Sequence, residues 1–185
     1  KGQDLPLPKS NVTVHGNSQI TATKNISAII NHGQNSTLEL SINSTGNADL
    51  QNVVVTFSGN TLSSSYVSLS PSSFESVSAG TNTSLNATIT TPKHTSPGNY
   101  TGTIQISASN AESRTISLTI EVPEDSSWTT AKPTNVTVYK RTDNAGLTTS
   151  FILNNSGNIG QKYAISSSGT FKSFIWDSSL NPSSI

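Results

Sequence analysis

Apolar side chains recur at every second position along five separate stretches, and that spacing sets the class of fold open to this chain. Leu38, Leu40 and Ile42 alternate with Glu39, Ser41 and Asn43. Val53, Val55 and Phe57 follow the turn signal Gly46-Asn47, and Leu85, Ala87 and Ile89 alternate with Asn86, Thr88 and Thr90. Tyr100, Ile104 and Ile106 face one way against Thr101, Thr103 and Gln105; Ile116, Leu118, Ile120 and Val122 close the series against Ser117, Thr119 and Glu121. A period of two puts one set of side chains on a buried face and the other in water. No stretch repeats at 3.6 residues, so the chain is expected to be all-β.

Several classes of chemistry are excluded by residue type. The sequence contains no Cys, which removes disulfides, thiolate metal sites and thiol catalysis together. Charged residues make up 11% and the formal net charge is zero, against a usual ~25% charged. A basic stripe for nucleic acid is absent. No apolar run approaches the ~20 residues that span a bilayer, so no membrane span is expected in this chain. No Met occurs, and the expectation is either that a leader was removed or that the chain is a fragment of something larger, exported in either case and placed outside the cell or on its surface. Ser and Thr supply about a third of the residues. A surface so short of charge associates readily unless something else keeps it hydrated.

Covalent sugar would do so. The pattern Asn-x-Ser/Thr, the acceptor for N-glycosylation, occurs at Asn11, Asn25, Asn35, Asn43, Asn82, Asn86, Asn99, Asn135 and Asn154. Composition alone accounts for roughly six such matches, so position says more than number. Asn43, Asn86 and Asn99 stand at outward parity beside inward apolar neighbours, as do Asn11 and Asn135 beside Val residues. Several are expected to carry N-glycans; unmodified surface Asn is the alternative.

The stretch Pro97-Gly98-Asn99-Tyr100 suits a tyrosine corner, in which a Tyr at the start of a late strand bonds back to nearby backbone; a Tyr filling the core edge is the alternative. A boundary is expected at Pro123-Glu124-Asp125-Ser126-Ser127, after which the pattern restarts. Leu38 to Gly59 parallels Thr149 to Gly169, each with a strand, an Asn-x-x-Gly-Asn turn, a second strand and Ser-Gly, and the tetrapeptide Asn-Val-Thr-Val occurs at Asn11 and at Asn135. The expected division is an N-terminal extension over 1–24, an immunoglobulin-like sandwich over 25–123, a linker over 124–132 and a second, shorter sandwich over 133–185.

The strand–NSTGN–strand unit, with SPGNYTGTIQISAS and SRTISLTIEV after it, resembles immunoglobulin-like repeats of the CARDB type in bacterial and archaeal surface proteins. The likeness covers about Ile26 to Val122 well and Asn135 to Gly169 weakly. It implies a fold and roles in adhesion, spacing or surface layers, and it brings no active site with it.

Strand counting adds a further expectation. The first sandwich has material for seven or eight strands, which leaves the extension around Val12 and Val14 as surplus. The second has about four: Asn135–Lys140, Leu147–Asn154, Gln161–Ser166 and Phe171–Trp176. Val12 and Val14 are therefore candidates for a donor strand that completes the second sandwich of an identical neighbour, giving a head-to-tail homopolymer. That arrangement resembles the assembly logic of chaperone-built pili and archaeal thread filaments. A fragment of a surface layer or adhesin and a carbohydrate-binding module are the alternatives.

No catalytic constellation emerges, and the chain is expected to be neither an enzyme nor a cofactor protein. His15, His32 and His94 are isolated in sequence and read as loop or surface residues rather than metal ligands. Asp and Glu are few and scattered, so a glycosidase carboxylate pair is conceivable only through distant residues such as Glu39 and Glu75. Asp143-Asn144-Ala145-Gly146 reads as a hairpin turn before a calcium loop. Phe171, Phe174 and Trp176, with Trp128 and Tyr139 near the linker, are aromatic enough for a sugar platform, although burial in a core accounts for them too.

Overall fold

The computed structural model describes residues 15–131, 152–165 and 176–180. Among the described residues every regular element is a strand except a 3₁₀ turn at Ser64–Tyr66. The described strands are β1 (Ile20–Ala22), β2 (Asn25–Ile29), β3 (Asn35–Ser44), β4 (Leu50–Gly59), β5 (Val67–Ser70), β6 (Ser73–Val77), β7 (Asn82–Thr90), β8 (Gly98–Ala108) and β9 (Ala111–Val122). They are followed by β10 (Trp128–Ala131), β11 (Ile152–Asn155), β12 (Gln161–Ile165) and β13 (Trp176–Leu180). All five alternating stretches lie within β3, β4, β7, β8 and β9.

β1 to β9 form two sheets, one ordered β1-β3-β7-β5 and the other β2-β9-β8-β4-β6. This is an immunoglobulin-like β-sandwich. Its core comes from the inward set of each alternation: Leu40, Ile42, Leu85 and Ile89 from the first sheet, and Val53, Ile104, Ile106, Ile116, Leu118 and Ile120 from the second. Each side chain of this size contributes about 1.5–3 kcal/mol when fully withdrawn from water, which is how a chain without disulfides holds two sheets together.

Two segments change sheets partway. The first runs as β1 along β3, antiparallel, then crosses to run as β2 parallel to β9. The second runs as β5 along β7, then crosses through a cis Ser70–Pro71 bond to run as β6 along β4. All four sheet edges are thereby made from these switching segments, which are three to five residues long, while the interior strands run nine to twelve. Short edge strands offer little template for pairing with another chain.

Two boundaries expected from the sequence move. Ile20–Ala22 falls within the expected N-terminal extension, but β1 is an edge strand of the sandwich and Ile20 is fully buried in the core. Buried Ile20 has no alternating partners long enough to announce a strand. Residues 128–131, placed in the linker, form β10 and pair with β11. β13 begins at Trp176, the residue at which the expected strand Phe171–Trp176 ends. Val12, Val14, Asn11, Asn135, Tyr139, Asp143–Gly146, Phe171 and Phe174 lie outside the described residues, as does the strand expected at Asn135–Lys140.

Candidate junction and interaction site

The feature with the most built geometry is the junction between the sandwich and the strands that follow it. The turn between β11 and β12 carries Asn155-Ser156-Gly157-Asn158. Asn158 is buried, and its side chain imitates a backbone: Oδ1 accepts the Asp125 amide at 2.7 Å and Nδ2 donates to the Pro123 carbonyl at 2.9 Å. Its own amide donates to the Asp125 carbonyl at 2.9 Å, and the amides of Ser156 and Gly157 both donate to the Ser127 carbonyl. Gly157 is required here because a Cβ would collide with the carbonyl oxygen of Asp125. The connecting segment 123–127 is therefore strapped to the turn rather than left free.

The same device occurs at the start of the sandwich. There Asn47 plays the part of Asn158, Gly46 of Gly157, and His15, Asn17 and Gln19 those of Pro123, Asp125 and Ser127. Asn47 Oδ1 accepts the Asn17 amide, its Nδ2 donates to the His15 carbonyl, and its amide donates to the Asn17 carbonyl at 2.9 Å. The Thr45 amide donates to the Gln19 carbonyl as that of Ser156 does to Ser127, and a Cβ on Gly46 would strike the Asn17 carbonyl. The ladders agree as well: Ile20, Thr21 and Ala22 pair with Ser44, Asn43 and Ile42, and Trp128, Thr129 and Thr130 pair with Asn155, Asn154 and Leu153. The sequons at Asn43 and Asn154 thus occupy equivalent places.

Two histidines far apart in sequence meet at this junction. His32 follows β2 in the turn that contains Gly33 (φ 72°), and His94 lies in the loop between β7 and β8 with φ 60°. Their rings stack with centroids 5.9 Å apart. His32 Nε2–H donates to Asp125 Oδ2 at 2.9 Å, while Nδ1 accepts the His94 backbone amide at 3.3 Å, which places the proton of the neutral ring on Nε2. His94 Nδ1–H donates to the Gly157 carbonyl at 2.6 Å. Asp125 is held down to a pKa of about 2, first by the Ser127 hydroxyl, then by His32 and the Ser127 amide. An open cleft beside the pair is bordered by His32, Lys93, His94, Asn154 and Ser156. Sequence spacing missed this pairing because His32 and His94 meet only when the ends of β2 and β7 are brought together.

Tyr100 forms the tyrosine corner, its hydroxyl donating to the Ser96 carbonyl at 2.8 Å. It borders a recess with Tyr66, Leu62 and Ile120 of about 80 Å³, well below the ~300–1,000 Å³ of small-molecule sites. Glu39 and Glu75 lie on the outer faces of opposite sheets, so they do not converge on a glycosidic bond. Trp128 is exposed and meets Tyr163 edge-on at 5.3 Å; the two rings do not form one flat platform. Among the described residues no group of three or more His, Cys, Asp or Glu is placed to hold a metal ion, and no helix is long and apolar enough to cross a membrane.

Of the sequons, Asn35, Asn43, Asn82 and Asn86 lie on the outer face of the four-stranded sheet, Asn25 and Asn99 on that of the five-stranded sheet, and Asn154 on β11.

Residues 30–109 match the family described as the NPCBM-associated, NEW3 domain of alpha-galactosidase, rather than the CARDB-type repeat to which the sequence was likened. That domain is a non-catalytic accessory module, and the match covers under half of the chain. No curated protein matches. Among solved structures, a family 123 glycoside hydrolase from Clostridium perfringens is 17% identical over 54% of this chain and 22% of its own, with a TM-score of 0.48. PapD-like domain 7 of human CEP192 is 11% identical over 66% of this chain and 97% of its own, TM-score 0.44. The E. coli chaperone DraB is 12% identical over 56% and 55%, TM-score 0.44. The chain spans about a fifth of the length of the glycoside hydrolase.

Proposed function

We propose that this chain is a non-catalytic spacer of an extracellular or cell-surface protein, built from immunoglobulin-like sandwiches set end to end with a stiff joint between them. The observation that carries this reading is the strap of Asn158 on residues 123–127, reinforced by His32 and His94 and repeated at Asn47. A linker whose backbone groups are bonded to both neighbours has little freedom to bend, and stiffness is what a spacer needs. The repeated turn and ladder support a second sandwich beginning at β10. Small-angle scattering on the intact chain tests this. One extended shape that becomes broader and more variable in Asn158→Ala supports the spacer; a flexible pair of units in the unsubstituted chain refutes it.

A second reading is favoured by the match to a domain of alpha-galactosidase: an accessory module working beside carbohydrate chemistry. Exposed Trp128 is the side chain that would stack on a sugar. Quenching of Trp128 fluorescence by a galactoside or polysaccharide, lost in Trp128→Ala, would support it, and an unchanged spectrum would count against it.

The head-to-tail filament of identical subunits is a finer form of the spacer reading. It would have to draw its donor strand from residues ahead of the sandwich, such as Val12 and Val14, since Ile20–Ala22 already serves its own sheet. Filaments by electron microscopy that vanish when residues 1–14 are deleted, with the sandwich still folded, would support that form; monomers from both would end it.

A further inference from the structure

The outer face of the four-stranded sheet is unusual in both content and arrangement. Its strand residues are Thr21 on β1, Asn35, Thr37, Glu39, Ser41 and Asn43 on β3, Asn82, Ser84, Asn86, Thr88 and Thr90 on β7, and Ser68 and Ser70 on β5. Glu39 is the one charge among them, and none is a large apolar residue. In an extended strand, residues i and i+2 share a face. Three of the four sequons on this face therefore set their Asn and hydroxyl residue side by side, both turned outward: Asn35 with Thr37, Asn82 with Ser84, Asn86 with Thr88. The opposite sheet turns out two sequons, Asn25 and Asn99, and carries Glu75 and Glu121.

The four Asn of the first face are not equally placed. Asn43 sits in the ladder between Thr21 on one side and Asn82 on the other, and is half-buried, whereas Asn82 is exposed. Directly opposed side chains on antiparallel strands are about 4.5–5.5 Å apart at Cβ, so a sugar on Asn82 covers Asn43. Asn35 faces Thr90 and Asn86 faces Glu39, and neither has a competing acceptor across the ladder.

We propose that this face is the sugar-bearing side of the sandwich, modified at Asn35, Asn82 and Asn86 and left bare at Asn43. The donor is an activated oligosaccharide, a glycosyl diphosphate. The carboxamide nitrogen forms a bond to the anomeric carbon as the bond from that carbon to the phosphate oxygen breaks. The diphosphate leaves with the electron pair, and the amide gives up one proton. Hydrated sugars then supply the solubility that one carboxylate on a flat neutral face cannot, and they keep this sheet from lying against another.

The inference rests on the extracellular reading above, and its test separates the two. The native protein is recovered from surface and cytoplasmic fractions of its own cells, and the peptides spanning each sequon are weighed. The expected result is surface protein with a shared sugar mass increment on the peptides of Asn35, Asn82 and Asn86 and none on Asn43, and with Asn82→Gln transferring the increment to Asn43. Surface protein with bare peptides overturns this inference alone. Asn43 and Asn82 modified together on one molecule also overturns it, since the crowding would then be absent. Protein confined to the cytoplasm overturns the extracellular reading with it.

Discussion

Asn158 grips Asp125 from two directions, its side-chain oxygen accepting the Asp125 amide at 2.7 Å while its own amide donates to the Asp125 carbonyl at 2.9 Å. A buried amide side chain used this way substitutes for a strand partner, at the one point where the chain passes from the sandwich to the strands beyond it.

Replacing Asn158 with Ala leaves the Asp125 amide and the Pro123 carbonyl without their partner. Both groups are only half-buried, so water recovers part of the loss and the cost falls at the low end of the about 1–3 kcal/mol of a buried unsatisfied group. Hydrogen exchange at the amides of Asp125, Ser156 and Asn158 should quicken, while the amides of β7, β8 and β9 keep their protection. Uniform exchange across both regions would mean the strap does not act locally.

Gly46 and Gly157 offer a matched pair. A methyl at either meets a backbone carbonyl that cannot move aside, and overpacking of this kind costs about 1–3 kcal/mol. Gly157→Ala should loosen the junction and leave the melting of the sandwich almost unchanged, while Gly46→Ala should lower that melting point because its clamp holds β1 to the sheet. Equal effects of both substitutions on melting would show that the two clamps are not independent.

Acid should act on the junction through Asp125. Its carboxyl is depressed from 3.8 to about 2 by the Ser127 hydroxyl, His32 and the Ser127 amide. A depressed acid stabilises the folded form above its unfolded pKa, and that contribution is lost as pH falls through the folded one. The bonds to Ser127 and His32 should therefore be complete above about pH 4 and fade toward pH 2. Carboxyl carbon shifts of Asp125 followed by NMR should give a midpoint near 2; a midpoint near 3.8 would show that the partners are not engaged. The side chain is partly exposed, so solvent screening keeps the effect local.

Tyr100→Phe removes one hydroxyl and its bond to the Ser96 carbonyl. A neutral hydrogen bond of this kind contributes about 0.5–1.5 kcal/mol. Chemical denaturation should show a loss of that size with an unchanged slope, since the packed ring remains. No loss would mean water replaces the carbonyl without penalty.

Much of the sandwich could be read from residue order alone. The strand class, the inward set from Leu40 to Val122 and the outward parity of Asn86 and Asn99 follow from alternation, and the tyrosine corner at Tyr100 from the turn Pro97-Gly98-Asn99 ahead of it. Alternation is local: each residue's face is determined by its immediate neighbours and by burial of one side. What the sequence could not decide was which distant segments close on one another. Ile20 joins the core because β1 finds β3, and the segments β1–β2 and β5–β6 each divide between the two sheets, so that short strands form the edges of both. His32 and His94 become a pair only when two loops converge on Gly157 and Asp125. Asn43 and Asn82 look alike as sequons, and the β3–β7 register alone sets them opposite one another. Those outcomes depend on long-range pairing, whose geometry is set when the whole sandwich closes rather than by any one segment.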